Sequence, residues 1–311
     1  MKMFSAHDTI SDSFPMPVLT MGNFDGVHYG HQAIFRRIKQ RAEEVNGTSI
    51  VLTFDPHPQK VLHPEKELHL INRLEEKIAI IQRIGIDVVI CMTFSKEFAA
   101  QEPEMFVRKT LVETLHVKEV YVGHDSRFGK DQQGASESLT QWGKRYGFIV
   151  RIVEPIMLHG EIVSSTKIRR FIREGKVDNA AEFLNRPYTL DGRVVSGAQR
   201  GALLLGCPTA NIEVLHEVIP CNGVYICQVV WKDHVYQAVV NIGTSPTFRG
   251  QKRTVEAHLL DFDGNLYGEN IQARFLKRIR GEIAFQHMQA LAAKISEDLS
   301  TAKAFFQKSG L

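Results

Sequence analysis

The sequence predicts an α/β protein in two parts: a mainly parallel sheet with helices on both faces, then a small antiparallel β-barrel with a terminal helix. Three observations lead there. From Pro17 to about Glu154, short apolar runs alternate with amphipathic helical stretches, the pattern of strand–helix–strand units around a parallel sheet. From Tyr188 onward, short strands follow one another closely, separated by Gly, Pro, Asp and Asn, which is the texture of a barrel. The chain has 311 residues, enough for two ordinary domains, and the natural cut falls near residues 185–187.

In order, PVLTMGNF reads as the first strand. The segment from Gly30 to Val45 is helical, with Ile34, Ile38, Ala42 and Val45 on one face. TSIVLTF is a second strand, bounded by Asn46-Gly47 and Asp55-Pro56. RLEEKIAIIQRIG is a helix closing on Gly85, the favoured stop residue. IDVVICMTF, PEMFVRKTLVETL and VKEVYVG continue as strand, helix and strand; SESLTQWGKRYG and FIVRIVE complete the alternation. Ligands of such sheets bind at the carboxyl ends of the strands, so the loops after the first, second and fifth strands are of interest. SSTKIRRFIREG and VDNAAEFL form two short helices. DGRVVSG, GVYICQVVW, HVYQAVVNIG, TVEAHLLDF and IQARFLKRI are the barrel strands. A last helix, from about Phe285 to Phe306, spaces Met288, Leu291, Ile295 and Leu299 for packing across the barrel.

Composition narrows the class. At 43% hydrophobic and 23% charged residues, the chain has the make-up of a folded globular protein. A formal net charge of +3 is too mild for a nucleic-acid binder, which carries a basic patch or stripe. Cys91, Cys207, Cys221 and Cys227 form no C-x-x-C pair, so they read as reduced thiols. The start has no apolar core of signal-peptide length, and no run reaches the roughly 18 apolar residues of a membrane span. The expectation is a cytoplasmic protein without nucleic-acid or membrane partners, monomeric or weakly self-associating.

The densest chemical signal is GNFDGVHYGH, residues 22–31, between a strand and a helix. Gly22, Gly26 and Gly30 remove side chains where phosphates must approach the backbone. The helix that follows offers free N–H groups and the positive end of its dipole. His28 and His31 are three apart and share a face if both lie in the first turn; there they are suited to stabilising charge on a transferring phosphate. The segment is neither a Walker A loop nor G-x-G-x-x-G. Two other readings stay open at this point: a solvated helix cap, and a metal site of H-x-x-H type.

GNFDGVHYGH resembles the signature of the nucleotidyltransferase superfamily, whose H-x-G-H element binds ATP. TFDPHP (53–58), VGHDSRFG (122–129) and SSTKIR (164–169) narrow the resemblance to the bifunctional prokaryotic riboflavin kinase/FAD synthetases. It continues through RPY (186–188), PTANI (208–212), GVY (223–225), NIGTSPTF (241–248), VEAHLLDF (255–262) and LYG (266–268), nearly the whole chain. The resemblance implies a Rossmann-like FMN adenylyltransferase domain over residues 1–185 and a riboflavin-kinase-like barrel over 186–311. It implies ATP as co-substrate, Mg2+, and riboflavin, FMN and FAD as substrates or products.

On the same resemblance, Gly22, Asn23, Phe24, Asp25 and Gly30 line the ATP, His28 and His31 contact its phosphates, and Ser164, Ser165, Thr166 and Arg169 close the other side. Asp55, Pro56, His57 and Pro58 border the flavin, or else form only a turn broken by two prolines. Asp125 and Arg127 belong to the flavin side; Ser126, between them, stands where the family usually has Phe. In the second half, Pro208 lies at the nucleotide, Thr209 and Asn211 are the magnesium ligands, and Glu256 is the base; without its motif Glu256 would read as a surface strand residue. The glycine-rich stretch before Pro208 departs from the family, lacking its second Arg and carrying Cys207 in place of Phe. An FAD synthetase with an idle kinase-like half, and a non-catalytic flavin sensor, are the alternative functions.

Overall fold

The computed structural model describes residues 1–5, 13–196, 209–247 and 250–310. They form two compact units, residues 1–165 and 166–311. The first is built on an all-parallel sheet. Its strands are β1 (Lys2–Phe4), β2 (Val18–Met21), β3 (Ser49–Asp55), β4 (Val88–Thr93), β5 (Glu119–Gly123) and, at the edge, Ile149–Val153. Their order is β1-β4-β3-β2-β5 followed by Ile149–Val153. The strands expected from apolar runs are all present. β2 through β5 are buried along most of their length, as strands covered on both faces must be. β1 escapes sequence reading because three residues carry no readable period. The edge strand leaves Ile149 and Ile152 exposed.

Helix α1 (Tyr29–Glu44) buries Gln32, Phe35, Ile38 and Ala42; Ile34 and Val45 are only partly buried against the same cluster. The stripe is thus rotated slightly from the predicted one, and it includes a glutamine that a hydrophobicity pattern passes over. Two further helices are α2 (Pro58–Leu62) and α3 (Leu74–Ile84). α3 ends at Gly85, whose φ of 90° is the left-handed stop expected there. The predicted single helix from Pro103 is a short α-turn, Pro103–Phe106, continued by a π-helical stretch, Val107–Thr114.

The second unit opens with two helices, Ser165–Arg173 (its first residue belonging to the first unit) and Val177–Leu184. A closed antiparallel barrel follows, in the order Tyr188–Val195, Ala210–Val214, Gly250–Leu259, His234–Thr247, Gly223–Trp231, Asn270–Arg280. The last helix, Met288–Ser309, buries Asp298, Ala302 and Phe306. Ala302 and Phe306 pack on Val224, Ile226, Val239 and Leu260 of the barrel, so the helix lies across it as predicted. The contact extends further along than the sequence suggests: Leu299 packs on the same cluster, but Leu291 and Ile295 line a cavity and Met288 is 49% exposed.

Candidate active sites

The turn between β2 and α1 carries three positive φ angles in four residues: Phe24 at 50°, Gly26 at 82° and Val27 at 38°. Gly26 is required twice over, by its φ and because a Cβ would lie 3.0 Å from the Ile71 side chain. Val27 is β-branched, and a positive φ there costs on the order of 1–3 kcal/mol. Surrounding contacts hold it: its side chain is fully buried, and its carbonyl accepts from Gln32 Nε2 at 2.9 Å. The Asn23 carbonyl accepts from Lys77 Nζ at 2.9 Å, and the Asp25 carbonyl from the Ser165 hydroxyl at 2.8 Å. The Asp25 carboxylate, 3% exposed, accepts the backbone N–H of Ile71 at 3.0 Å.

His28 is the N-cap of α1, its Nδ1 facing the His31 N–H at 3.4 Å. The two imidazoles stack, with centroids 3.5 Å apart and planes at 20°. Phe24 meets His31 edge-on at 5.2 Å. The space beside Gly22 and Gly30 is occupied from within the motif: a Cβ would lie 3.0 Å from the Phe24 ring at Gly22 and 3.3 Å from the His28 ring at Gly30. These two glycines therefore make room for the rings that shape the helix start.

Gly22 and Asn23 also border a cavity of about 520 Å³. Its wall holds Phe54, Phe94, Phe98, Phe106 and Phe128, whose neighbouring rings meet edge-on or tilted at 5.6 to 6.0 Å. Pro58, Ser126 and Arg127 line it too, whereas His28 and His31 do not. Asp55, Pro56 and His57 lead from β3 toward Pro58 without lining the cavity; His57 caps α2, accepting from the Gln59 N–H at 3.1 Å. Asp125 is exposed, 3.8 Å from His124. Ser164 is half-buried in the first unit, while Thr166 and Arg169 lie in the second, exposed and half-buried respectively. The sequence reading missed the phenylalanine wall. Its signal was present, since Phe54 ends the apolar run of β3 and Phe94 follows β4. Of the loop after β5, which the sequence reading assigned to the flavin side, Ser126 and Arg127 line the cavity and Asp125 does not; Phe128 beside them was not singled out.

In the barrel, strand register brings the second set together. Asn211 pairs with Glu256, and Glu256 with Asn241 on its other side. One cavity of about 260 Å³ is lined by Thr209, Asn211, Phe262, Gly264 and Asn265. A second of similar size is lined by Thr209, Asn241, Glu256 and Arg280, with Phe285, Leu291, Ile295 and Leu299 from the terminal segment. Thr209 borders both. Burial pushes the Glu256 carboxyl above its usual range. Arg280 reaches both carboxylate oxygens of the buried Asp298, at 2.8 to 3.1 Å. Pro208 and the divergent stretch before it lie outside the described residues.

A family profile described as FAD synthetase matches residues 12–167, and one described as riboflavin kinase matches residues 184–306. A bifunctional riboflavin kinase/FMN adenylyltransferase of Haemophilus influenzae is 38% identical over 289 residues, 93% of this chain and 94% of the relative. The chain belongs to this bifunctional family. The member from Escherichia coli K12 is 36% identical over 290 residues, covering 93% of this chain and 92% of its own. A solved structure from Streptococcus pneumoniae, described as a macrolide-efflux protein, superposes with a TM-score of 0.88 at 28% identity, over 97% of this chain and 99% of that one. No helix among the described residues is long and apolar enough to cross a membrane.

Proposed function

We propose that this member of the bifunctional family makes FAD in two steps, each at its own site. The enzyme is a riboflavin kinase and FMN adenylyltransferase of FMN and FAD biosynthesis, using ATP in both reactions. The observation that carries the residue-level reading is the capped turn at the start of α1, with its stacked imidazoles, next to an aromatic cavity.

For adenylyl transfer, ATP lies along the turn from Gly22 to Gly30, with Asn23, Phe24 and Asp25 shaping it. The N-terminus of α1, His28 and His31 face the phosphates, with Ser164 and Ser165 completing the site within the first unit. The flat isoalloxazine ring of FMN suits the phenylalanine wall, with Pro58, Ser126 and Arg127 at its side; Asp55, Pro56, His57 and Asp125 support the loops that bear them. An FMN phosphate oxygen then attacks the α-phosphorus of ATP and pyrophosphate leaves. No protein covalent bond is needed, so catalysis is positioning plus charge stabilisation.

In the barrel, riboflavin occupies the cavity beneath the terminal helix and ATP the cavity beside Thr209 and Asn211. Glu256 takes the proton of the riboflavin 5′-hydroxyl as that oxygen attacks the γ-phosphorus, and ADP leaves. A carboxyl whose affinity for protons is raised by burial is suited to that task. Thr209 and Asn211 both line one cavity, and a hydroxyl and an amide oxygen are a donor pair suited to Mg2+, which when bound would neutralise phosphate charge. The functional division falls near residue 185, and the enzyme works in the cytoplasm, as a monomer or weak homo-oligomer.

The test supplies the purified chain with ATP and Mg2+, and with either riboflavin or FMN. FMN and then FAD are expected from riboflavin, and FAD with pyrophosphate from FMN. Failure to make FAD from supplied FMN would overturn the reading of the first unit; failure to make FMN would overturn that of the second.

A further inference from the structure

Behind the turn from Gly22 to His28, alternate carbonyls are each engaged by a side chain. Lys77 Nζ donates to Asn23 O, the Ser165 hydroxyl to Asp25 O, and Gln32 Nε2 to Val27 O. Two of these donors, Lys77 and Gln32, are 7% and 5% exposed and have no part in the chemistry outlined above. A buried lysine and a buried glutamine are costly unless they satisfy specific partners. Both are spent on the carbonyls of one strained turn.

We propose that Lys77 and Gln32 are positioning residues for adenylyl transfer, holding the carbonyls of Asn23 and Val27 back so that the turn presents its phosphate-receiving form. The inference rests on the reading of this turn as the nucleotide cradle. The physical need is clear: a carbonyl swung toward a triphosphate sets oxygen against oxygen and withdraws an N–H from the site. Val27, at a φ of 38°, stores the strain that would drive such a rearrangement once its tether is cut. Gln32 is fixed in turn, its Oε1 accepting from Arg36 at 3.2 Å.

Lys77 also carries charge into this place. From α3 it faces Asp25 on the turn, Asp55 at the end of β3 and Cys91 on β4, and the Thr53 hydroxyl lies 3.4 Å from its Nζ. Burial lowers its pKa below the ordinary lysine value, against the opposing pull of these groups. The cation is therefore lost at lower pH than that of an ordinary lysine.

The experiment compares Lys77→Met, Gln32→Leu and Lys77→Arg with wild type in the full chain. Each preparation is assayed for FAD formation from FMN and for riboflavin phosphorylation, the latter reporting on the second unit, and is melted thermally alongside wild type to confirm that the first unit is folded. Lys77→Met and Gln32→Leu are expected to lose roughly tenfold or more in kcat/KM for ATP in FAD formation, with the kinase rate within about twofold of wild type. Lys77→Arg is expected to recover most of the loss and to move the alkaline decline of FAD formation to higher pH. FAD formation within about twofold of wild type in both truncating variants, kinase activity falling in step with it, or an alkaline limb unmoved by Lys77→Arg would each overturn the proposal. A wild-type chain that makes no FAD overturns the underlying reading of the turn instead.

Discussion

In the first unit, the two histidines assigned to the ATP phosphates and the glycines around them lie within ten consecutive positions, Gly22 to His31. In the second, Asn211, Asn241, Glu256 and Arg280 come from four different barrel strands, with Thr209 just before one of them. The first site is made by the shape of a backbone segment, and its side chains largely serve that shape. The second is made by register, because a barrel places a residue by its pairing partners: Glu256 stands between Asn211 and Asn241. A backbone-shaped site is vulnerable at the tethers behind the turn. A register-built site is vulnerable at individual side chains and at whatever holds the barrel and its helix together.

Substitutions that act on one unit alone test this contrast. The largest effect is expected from Glu256→Gln, which should reduce FMN formation about 10²- to 10⁴-fold while leaving FAD formation from supplied FMN intact. Because burial raises the Glu256 pKa, the kinase rate should fall on acidification from above the ordinary carboxylate range. The stability consequence has a fixed sign. The folded pKa lies above the unfolded one, so the stabilising contribution is full below the unfolded value of about 4.3 and is lost as pH rises through the folded value. Glu256→Gln should therefore raise the melting temperature of the barrel at neutral pH and leave it nearly unchanged near pH 3. A melting curve at each pH checks this.

Next comes Asp298→Ala, which strands Arg280 in a mostly buried position, the two side chains being 4% and 15% exposed. Such a loss costs about 3–5 kcal/mol. Denaturant melts should show the second unit weakened, and kinase activity should fall with it, while adenylyl transfer persists. Loss of both activities together would mean that the two units are not energetically separable.

His28→Ala and His31→Ala should each lower FAD formation about 10²- to 10³-fold, with riboflavin phosphorylation unchanged in the same sample. Comparable FAD formation in either variant would remove the imidazoles from the reaction. The smallest effect is expected at Ser126, which lines the phenylalanine-walled cavity. Ser126→Phe adds one aromatic contact, worth about 0.5–1.5 kcal/mol, and should lower the KM for FMN severalfold. A raised KM would show instead that the ring has no room.

Much of this architecture could be read in the sequence, for identifiable reasons. β2 to β5 are continuous apolar runs because both their faces are covered, and α3 stops at Gly85 because a left-handed residue is needed there. The motif from Gly22 to His31 stood out because its residues are adjacent. What escaped was information that no local period carries. Lys2–Phe4 is too short to show one. Gln32 and Lys77 are polar residues buried for the sake of carbonyls that the sequence does not display. The phenylalanine wall comes from several separate segments that meet only in the fold. On the terminal helix Leu299 packs on the barrel cluster as its spacing suggests, but Leu291 and Ile295 only line a cavity, and the fully buried contacts, Ala302 and Phe306, lie beyond the residues the period picks out.

The Asp25 carboxylate gathers the amide of Ile71, and Lys77 reaches the carbonyl of Asn23, across 46 and 54 positions of chain. The turn is therefore no autonomous hairpin. During synthesis, as residues leave the ribosome in order, the segment around His28 emerges long before the partners that fix it. A nascent chain truncated ahead of Lys77 would carry the whole recognisable motif and still lack the cradle.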